Sequence, residues 1–77
     1  MNQSLTEILV FKTNLITNEH INSISSMLNN HPSIRKWNVD DQDIDHVLRI
    51  VPDEVIDPTH IIRIVQEAGF YCEELTG

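Results

Sequence analysis

The sequence contains few of the residues that cross-link a chain or bind phosphate, with one cysteine, two glycines and three prolines among 77 residues. Cys72 has no partner for an intramolecular disulfide, so the chain is not a disulfide scaffold. Two glycines are too few for a glycine-rich phosphate-binding loop. No apolar run approaches the roughly 20 residues that a membrane-spanning helix needs. The chain must therefore be stabilised by an ordinary hydrophobic core.

Basic residues are also scarce, since five Lys and Arg stand against 12 Asp and Glu, for a net charge of −7 with histidine neutral. Such a charge repels the phosphates of nucleic acids and anionic lipid headgroups. We therefore expect neither nucleic acid nor a membrane as partner. The start, Met1 to Ser4, lacks the basic and apolar segments of a signal peptide, and the single cysteine fits a reducing compartment, so we expect a cytoplasmic protein.

What is present is typical of a small globular protein, with 40% hydrophobic and 22% charged residues. This length allows one hydrophobic core, and we expect one domain over residues 1–77. No serine, histidine and acid occur at a recognisable catalytic spacing, and a chain of this size rarely holds a deep cleft. The sequence therefore predicts a non-enzyme without a cofactor.

Hydrophobic periodicity predicts six elements in the order β-α-β-β-α-β. The strands are expected at Leu5–Lys12, Ile34–Asp40, His46–Val51 and Phe70–Glu73, and the helices at Asn18–Asn30 and from Asp57–Pro58 to a C-cap at Gly69. Right-handed crossovers and one hairpin turn this order into an α+β, ferredoxin-like sandwich, with a four-stranded antiparallel sheet and both helices on one face. Many unrelated functions use this architecture, so it identifies no chemistry by itself.

Two segments resemble a named family, the heavy-metal-associated (HMA) domains of copper chaperones and copper pumps. The stretch Trp37-Asn38-Val39-Asp40 is similar to the Val-x-Val-Asp of that family's second strand, and Ala68-Gly69-Phe70 is similar to the Ala-Gly-Tyr that ends its second helix. The resemblance covers nearly the whole chain and implies the ferredoxin-like fold. These matching positions are scaffold rather than metal ligands.

The metal motif of that family, Met-x-Cys-x-x-Cys between strand one and helix one, is not preserved. Counting back from Ile21 places the two cysteine positions at Asn14 and Thr17, with Lys12 in the methionine position; a shift of one residue would put Phe11 there instead. Asn and Thr offer neutral oxygen and nitrogen donors, which suit neither Cu(I) nor Zn(II) well. We therefore expect a degenerate loop that binds no metal.

The segment that replaces the motif is a candidate interaction loop, comprising Thr13, Asn14, Leu15, Ile16 and Thr17. Its polar side chains also have an ordinary explanation, because Thr17 or Asn18 can cap the following helix. One of Leu15 and Ile16 can pack against that helix while the other stays exposed. An exposed apolar side chain at this position would favour a partner surface.

Other chemistry-bearing residues have weaker patterns. Asp41, Asp43 and Asp45 match the opening of a calcium loop, but His46 and Pro52 stand where that loop needs glycine and glutamate, so we interpret them as a solvated turn. The four histidines lie on different predicted elements and are not expected to converge. We expect Cys72 to be a buried, inert thiol and Trp37 to belong to the core, whereas one of the pairs Leu9/Phe11 and Ile8/Val10 must face away from the helices.

The favoured hypothesis is a small binding module that has lost the thiol site and acts through a protein partner with a basic surface, or through a homodimer formed by the open sheet face. A second hypothesis is a metal carrier with an unorthodox site, built from Cys72 shared between two chains or from histidines brought together by folding. A third is a small-molecule-sensing regulatory domain, a class that usually has glycine in the first loop, where this chain has none.

Overall fold

Six elements follow one another in the computed structural model, which describes residues 8–75. They are β1 (Leu9–Thr13), α1 (Asn18–Asn29), β2 (Ile34–Asp40), β3 (Val47–Pro52), α2 (Pro58–Glu67) and β4 (Cys72–Glu74). The strands form one antiparallel sheet in the order β2-β3-β1-β4. The predicted ferredoxin-like fold class is confirmed. Within residues 8–75, neither helix combines the length and apolarity that crossing a membrane requires.

The core lies between the sheet and the two helices. Its fully buried side chains are Phe11, Leu15, Ile24, Leu28, Leu48, Ile50, Ile61 and Val65. Each contributes about 1.5–3 kcal/mol relative to an exposed position. Strand register pairs Phe11 with Leu48 and Leu9 with Ile50, so all four face the helices. Ile8 and Val10 consequently face the open side of the sheet.

Helix α2 begins and ends where local sequence signals place it. The Asp57 side chain accepts the Thr59 N–H at 3.0 Å, and Pro58 is the first helical residue. At the other end Gly69 has a φ of 99°, a left-handed conformation that suits glycine. The Gly69 N–H donates to the Gln66 carbonyl at 2.9 Å. The predicted start of this helix is confirmed, and at its other end Ala68 is the C-cap residue while Gly69, predicted as the cap, is the left-handed residue that follows it.

The predicted start of the last strand at Phe70 is wrong. The Phe70 N–H donates to the Val65 carbonyl at 3.1 Å, the second bond of a Schellman motif that closes α2. Because that amide is committed to the helix end, Phe70 cannot join the sheet, and β4 runs from Cys72 to Glu74. Cys72 is buried and free, as expected.

The predicted bounds of three other elements shift, and Ile8, predicted in the first strand, lies just before it. His46 is not in a strand, because its φ is 45° and its N–H closes a turn on the Asp43 carbonyl at 3.0 Å; β3 begins one residue later and includes Pro52. Helix α1 ends at Asn29, with Asn30 as its C-cap. Strand β1 extends to Thr13 rather than Lys12. The first predicted strand residues, 5–7, lie outside the described part of the chain.

Strand β2 matches its predicted bounds and forms one edge of the sheet. Its pairing with β3 is irregular between Ile34 and Lys36, so that Arg35 stands out of register. Trp37 faces the helices, where its indole N–H donates to the Asn29 amide oxygen at 2.8 Å. Trp37 is packed against the core but only half-buried, because an edge strand has a neighbour on one side alone.

Candidate functional site

The segment between β1 and α1 meets two other connections at one end of the molecule. Thr13, the last residue of β1, donates its N–H to the Asp45 carbonyl at 3.1 Å, which holds the β2–β3 turn beside it. The Tyr71 N–H donates to the Asn14 side chain at 2.8 Å, which brings the segment after α2 to the same place. We call this region the loop end and define it as residues 13–17, 41–46 and 69–71.

Thr13 holds the loop end together from the inside. Its side chain is 4% exposed, and its hydroxyl donates to the His46 carbonyl at 2.6 Å. The same oxygen accepts the Leu15 N–H at 3.1 Å. This buried hydroxyl therefore satisfies two backbone groups, the nearby Leu15 N–H and the carbonyl of His46, which is 33 residues from Thr13 in the sequence. Thr13 is a structural residue rather than a contact residue.

The oxygens of Asn14 and Thr17 are occupied as well. Asn14 accepts from Tyr71, and the Thr17 hydroxyl accepts the His20 N–H at 3.1 Å as the N-cap of α1. His20 completes the cap in return, because its Nδ1 accepts the Ile16 N–H at 3.2 Å and lies 3.4 Å from the Thr17 N–H. A histidine here replaces the usual Glu or Gln of a capping box. The sequence analysis did not find this role of His20, whose ring also packs on Phe70.

These contacts leave little at the loop that would hold a soft metal ion. Cu(I) and Zn(II) sites in proteins use thiolate, thioether and imidazole ligands, whereas Asn14 and Thr17 offer amide and hydroxyl groups already engaged in backbone hydrogen bonds. Across residues 8–75, no three His, Cys, Asp or Glu side chains gather closely enough to form a metal centre.

Apolar side chains are exposed at the loop end. Leu15 is fully buried, whereas Ile16 is 56% exposed. Ile44, in the β2–β3 turn, is 91% exposed, and Tyr71 is 49% exposed. Two isoleucines and one tyrosine are therefore exposed at this end of the molecule, and exposed apolar side chains of this size are candidates for contact with a partner.

Acidic side chains lie at the same end of the molecule as these exposed apolar side chains. Asp41, Asp43 and Asp45 lie in the turn that carries Ile44. Asp43 accepts the Asp45 N–H at 2.8 Å, so its carboxylate stabilises the turn. Asp45 forms an exposed ion pair with Lys12 at 3.7 Å. The Tyr71 hydroxyl donates to Glu73, and that hydrogen bond raises the pKa of Tyr71 above its usual value.

The open sheet face has a different character. A shallow groove there is lined by Ile8, Lys36, Asn38, Arg49 and Val51, and is bordered by Trp37, whose indole itself faces the helices. The apolar pair that faces away from the helices is therefore Ile8 and Val10, but it is bordered by cations. Arg49 lies 3.8 Å from Asp40, an exposed pair of little energetic value.

The remaining candidate residues are separated by the fold, with one exception. Cys72 pairs with Thr13 in the sheet and points into the core, and burial raises the pKa of its thiol to about 12. His46 belongs to the loop end, and His20 lies next to it in the first turn of α1. His31 and His60, in contrast, meet at the opposite end, where their Nε2 atoms are 2.8 Å apart. Their spacing in sequence gives no sign of this contact.

Comparison with known proteins supports the fold at low sequence identity. The copper transporter domain Ccc2a of yeast has a TM-score of 0.75 and 17% identity, over 90% of this chain and 94% of that one. A complex of Atx1, Cu(I) and Ccc2a also matches, with a TM-score of 0.76 and 18% identity over 90% and 94% of the two chains. The N-terminal domain of ZntA in its Zn(II) form has a TM-score of 0.72 and 13% identity over 96% and 97%.

No family model matches the sequence, and no curated protein does. The resemblance to heavy-metal-associated domains is thus confirmed at the level of the fold, through structures whose sequences differ at most positions.

Proposed function

We propose that this chain is a small non-catalytic binding module that uses its loop end to contact a protein partner with a basic surface. The observation that carries the proposal is the contrast within one loop. The oxygens at the positions of the family's thiols are used internally, while Ile16 in the same loop is exposed, as are Ile44 and Tyr71 elsewhere in the loop end. In this loop the family's metal ligands are replaced by side chains with internal hydrogen bonds, while the exposed side chain of Ile16 can contact a protein partner.

Charge supports a basic partner over a second copy of the chain. The turn that carries Ile44 contains three aspartates and directly follows a fourth, Asp40, and the chain as a whole has a net charge of −7. Two loop ends facing each other would repel, whereas a basic partner would be attracted and oriented during the encounter. The complex of Atx1, Cu(I) and Ccc2a supports the use of this fold in protein contacts. The buried free thiol of Cys72 suits the reducing cytoplasm, which we propose as its compartment.

The metal half of the proposal is tested by Cu(I) titration against a chromophoric chelator under reducing conditions, with amide NMR shifts followed at residues 13–18. We expect no shift at those residues in the natural chain. The double variant Asn14→Cys/Thr17→Cys is the positive control, because it restores two thiols at the family's positions. Shifts in the natural chain comparable to those of the double variant would contradict the proposal.

The partner half is tested with three immobilised chains in an extract of the cells that make the protein. Ile16→Ser/Ile44→Ser removes apolar surface from the loop end, and Val55→Ser, at a residue 74% exposed outside it, is the matched control. We expect a basic protein that binds the natural chain and the control, is released by salt and fails to bind the double variant. Equal retention by all three chains would exclude the loop end. A dimer of the purified chain, unaffected by the double variant, would favour self-association by another face.

A further inference from the structure

Two histidines from distant parts of the sequence meet at the end of the molecule opposite the loop end. His31 directly follows the C-cap of α1, and His60 lies in the first turn of α2. Their Nε2 atoms are 2.8 Å apart, and their rings meet edge to face with centroids 4.9 Å apart. His60 is exposed and His31 half-buried, so the pair is open to solvent.

Both side chains extend from backbone that is fixed by hydrogen bonds. The His31 N–H donates to the Leu28 carbonyl at 3.3 Å, and the His60 N–H donates to the Asp57 carbonyl at 2.9 Å. The His31 Nδ1 accepts the Ser33 N–H at 3.1 Å, which orients that ring. The pair therefore rests on the two helix ends rather than on a free loop, and little ordering is needed to keep the nitrogens close.

From this geometry we propose that His31 and His60 form a binding site for a divalent transition-metal cation, with Cu²⁺ the preferred ion. Imidazole nitrogen suits Cu²⁺, Ni²⁺ and Zn²⁺, and Cu²⁺ binds such ligands most tightly. With metal–nitrogen bonds of about 2.0 Å, two ligands at roughly 90° stand about 2.8 Å apart, and two at a tetrahedral angle about 3.3 Å. In the metal-free, hydrogen-bonded pair these nitrogens are 2.8 Å apart, so little separation of the two rings is needed to reach either arrangement, and the preference for Cu²⁺ rests on its higher affinity for imidazole.

Carboxylates around the pair favour a cation. Asp57 borders the same pocket as both histidines. The Ser33 hydroxyl donates to Glu54 at 2.7 Å, so a second carboxylate lies next to Ser33, whereas the carboxylate of Asp53 is paired with Arg35. No group of three ligands forms among the described residues, so water completes the coordination and the site is weaker than a closed structural centre.

Metal binding moves a proton within His31 and involves no redox step. In the neutral, metal-free pair, the Ser33 N–H occupies Nδ1, so the proton of His31 is on Nε2 and is donated to Nε2 of His60. When the cation takes both Nε2 lone pairs, that proton relocates to Nδ1 of His31. The hydrogen bond from Ser33 is then given up. This cost also limits the affinity.

The test uses the full chain, titrated with Cu²⁺ near neutral pH against glycine as a competing ligand. His31→Asn and His60→Asn each remove one imidazole, and we expect each to weaken Cu²⁺ binding by roughly tenfold or more. The control is His46→Asn, because asparagine tolerates the φ of 45° at that residue and His46 belongs to the other end of the molecule. Binding by the two variants equal to that of the natural chain, or an equal loss in His46→Asn, would overturn the proposal.

A second measurement needs no variant and covers the case in which a substitution unfolds the chain. Bound Cu²⁺ broadens the NMR signals of nearby nuclei, so substoichiometric Cu²⁺ should broaden the ring signals of His31 and His60 first, with residues 13–18 unaffected. Broadening that spares those two rings would place the ion elsewhere and refute the site. Because the proposed function concerns residues 13–18, its success or failure is read from different signals.

Discussion

Replacing Thr13 by valine should destabilise the protein far more than its small change in shape suggests. Valine has nearly the same size as threonine and favours strands at least as well. It cannot donate to the His46 carbonyl at 2.6 Å or accept the Leu15 N–H at 3.1 Å. Leaving a buried polar group unsatisfied costs about 1–3 kcal/mol. Two groups are affected, one of them only partly buried. We therefore expect the free energy of unfolding to fall by about 2–4 kcal/mol, a large share of the stability of so small a domain.

The matched control is Thr13→Ser, which keeps the hydroxyl and removes one methyl group, at a cost of about 1 kcal/mol. Urea unfolding followed by Trp37 fluorescence and by far-UV circular dichroism gives both free energies, provided that the slopes with urea agree. Thr13→Val should unfold at clearly lower urea than Thr13→Ser. If the valine variant were as stable as the serine variant, the two hydrogen bonds of the Thr13 hydroxyl would not stabilise the loop end.

Three further changes have definite expected outcomes. Burial raises the pKa of Cys72 from 9.0 to about 12, so its thiolate is roughly a thousandfold scarcer near neutral pH, and iodoacetamide should react with the native chain much more slowly than with the chain in urea; equal rates would contradict the burial. In Gly69→Ala the added methyl group meets no atom within 4 Å, but the residue must keep a φ of 99°. Calorimetry should therefore show a free energy of unfolding lowered by about 1–2 kcal/mol from backbone strain alone, and an unchanged value would contradict that strain. Ultraviolet titration of Tyr71 should give a midpoint above 10.0, which Glu73→Gln lowers; an unchanged midpoint would exclude the carboxylate as the cause.

Sequence features that act within one turn of a helix or along one strand predicted the ends of the elements in which they occur. Asp57-Pro58 and Gly69 place both ends of α2, because a cap, a proline and a left-handed glycine act within one turn of the helix. The alternation of apolar and polar residues predicted the bounds of β2. The error at Phe70 came from counting alternation through a residue whose N–H closes the helix, and the Gly69-Phe70 pair itself contained the signal for that closure.

The remaining differences depend on contacts between distant residues. His46 adopts a φ of 45° although histidine has no strong preference for it, and its carbonyl is held by Thr13, 33 residues earlier. The role of His20 in the cap was missed because histidine is an unusual residue at that position. His31 and His60 are 29 residues apart and lie on elements that only the packed helices bring together. No pattern along the chain predicts such a meeting.

Strand β2 is an edge of the sheet, and its features bear on whether chains can pair edge to edge. An exposed strand edge is a template on which further chains can add, and from which fibrils grow. Here the irregular pairing at Ile34 and Lys36 twists that edge, and Arg35 adds a charge that is paired with Asp53 at 3.0 Å. The opposite edge, β4, is three residues long, too short to seed a sheet. Replacing Arg35 and Lys36 by apolar residues would therefore create an aggregation-prone edge without altering the core.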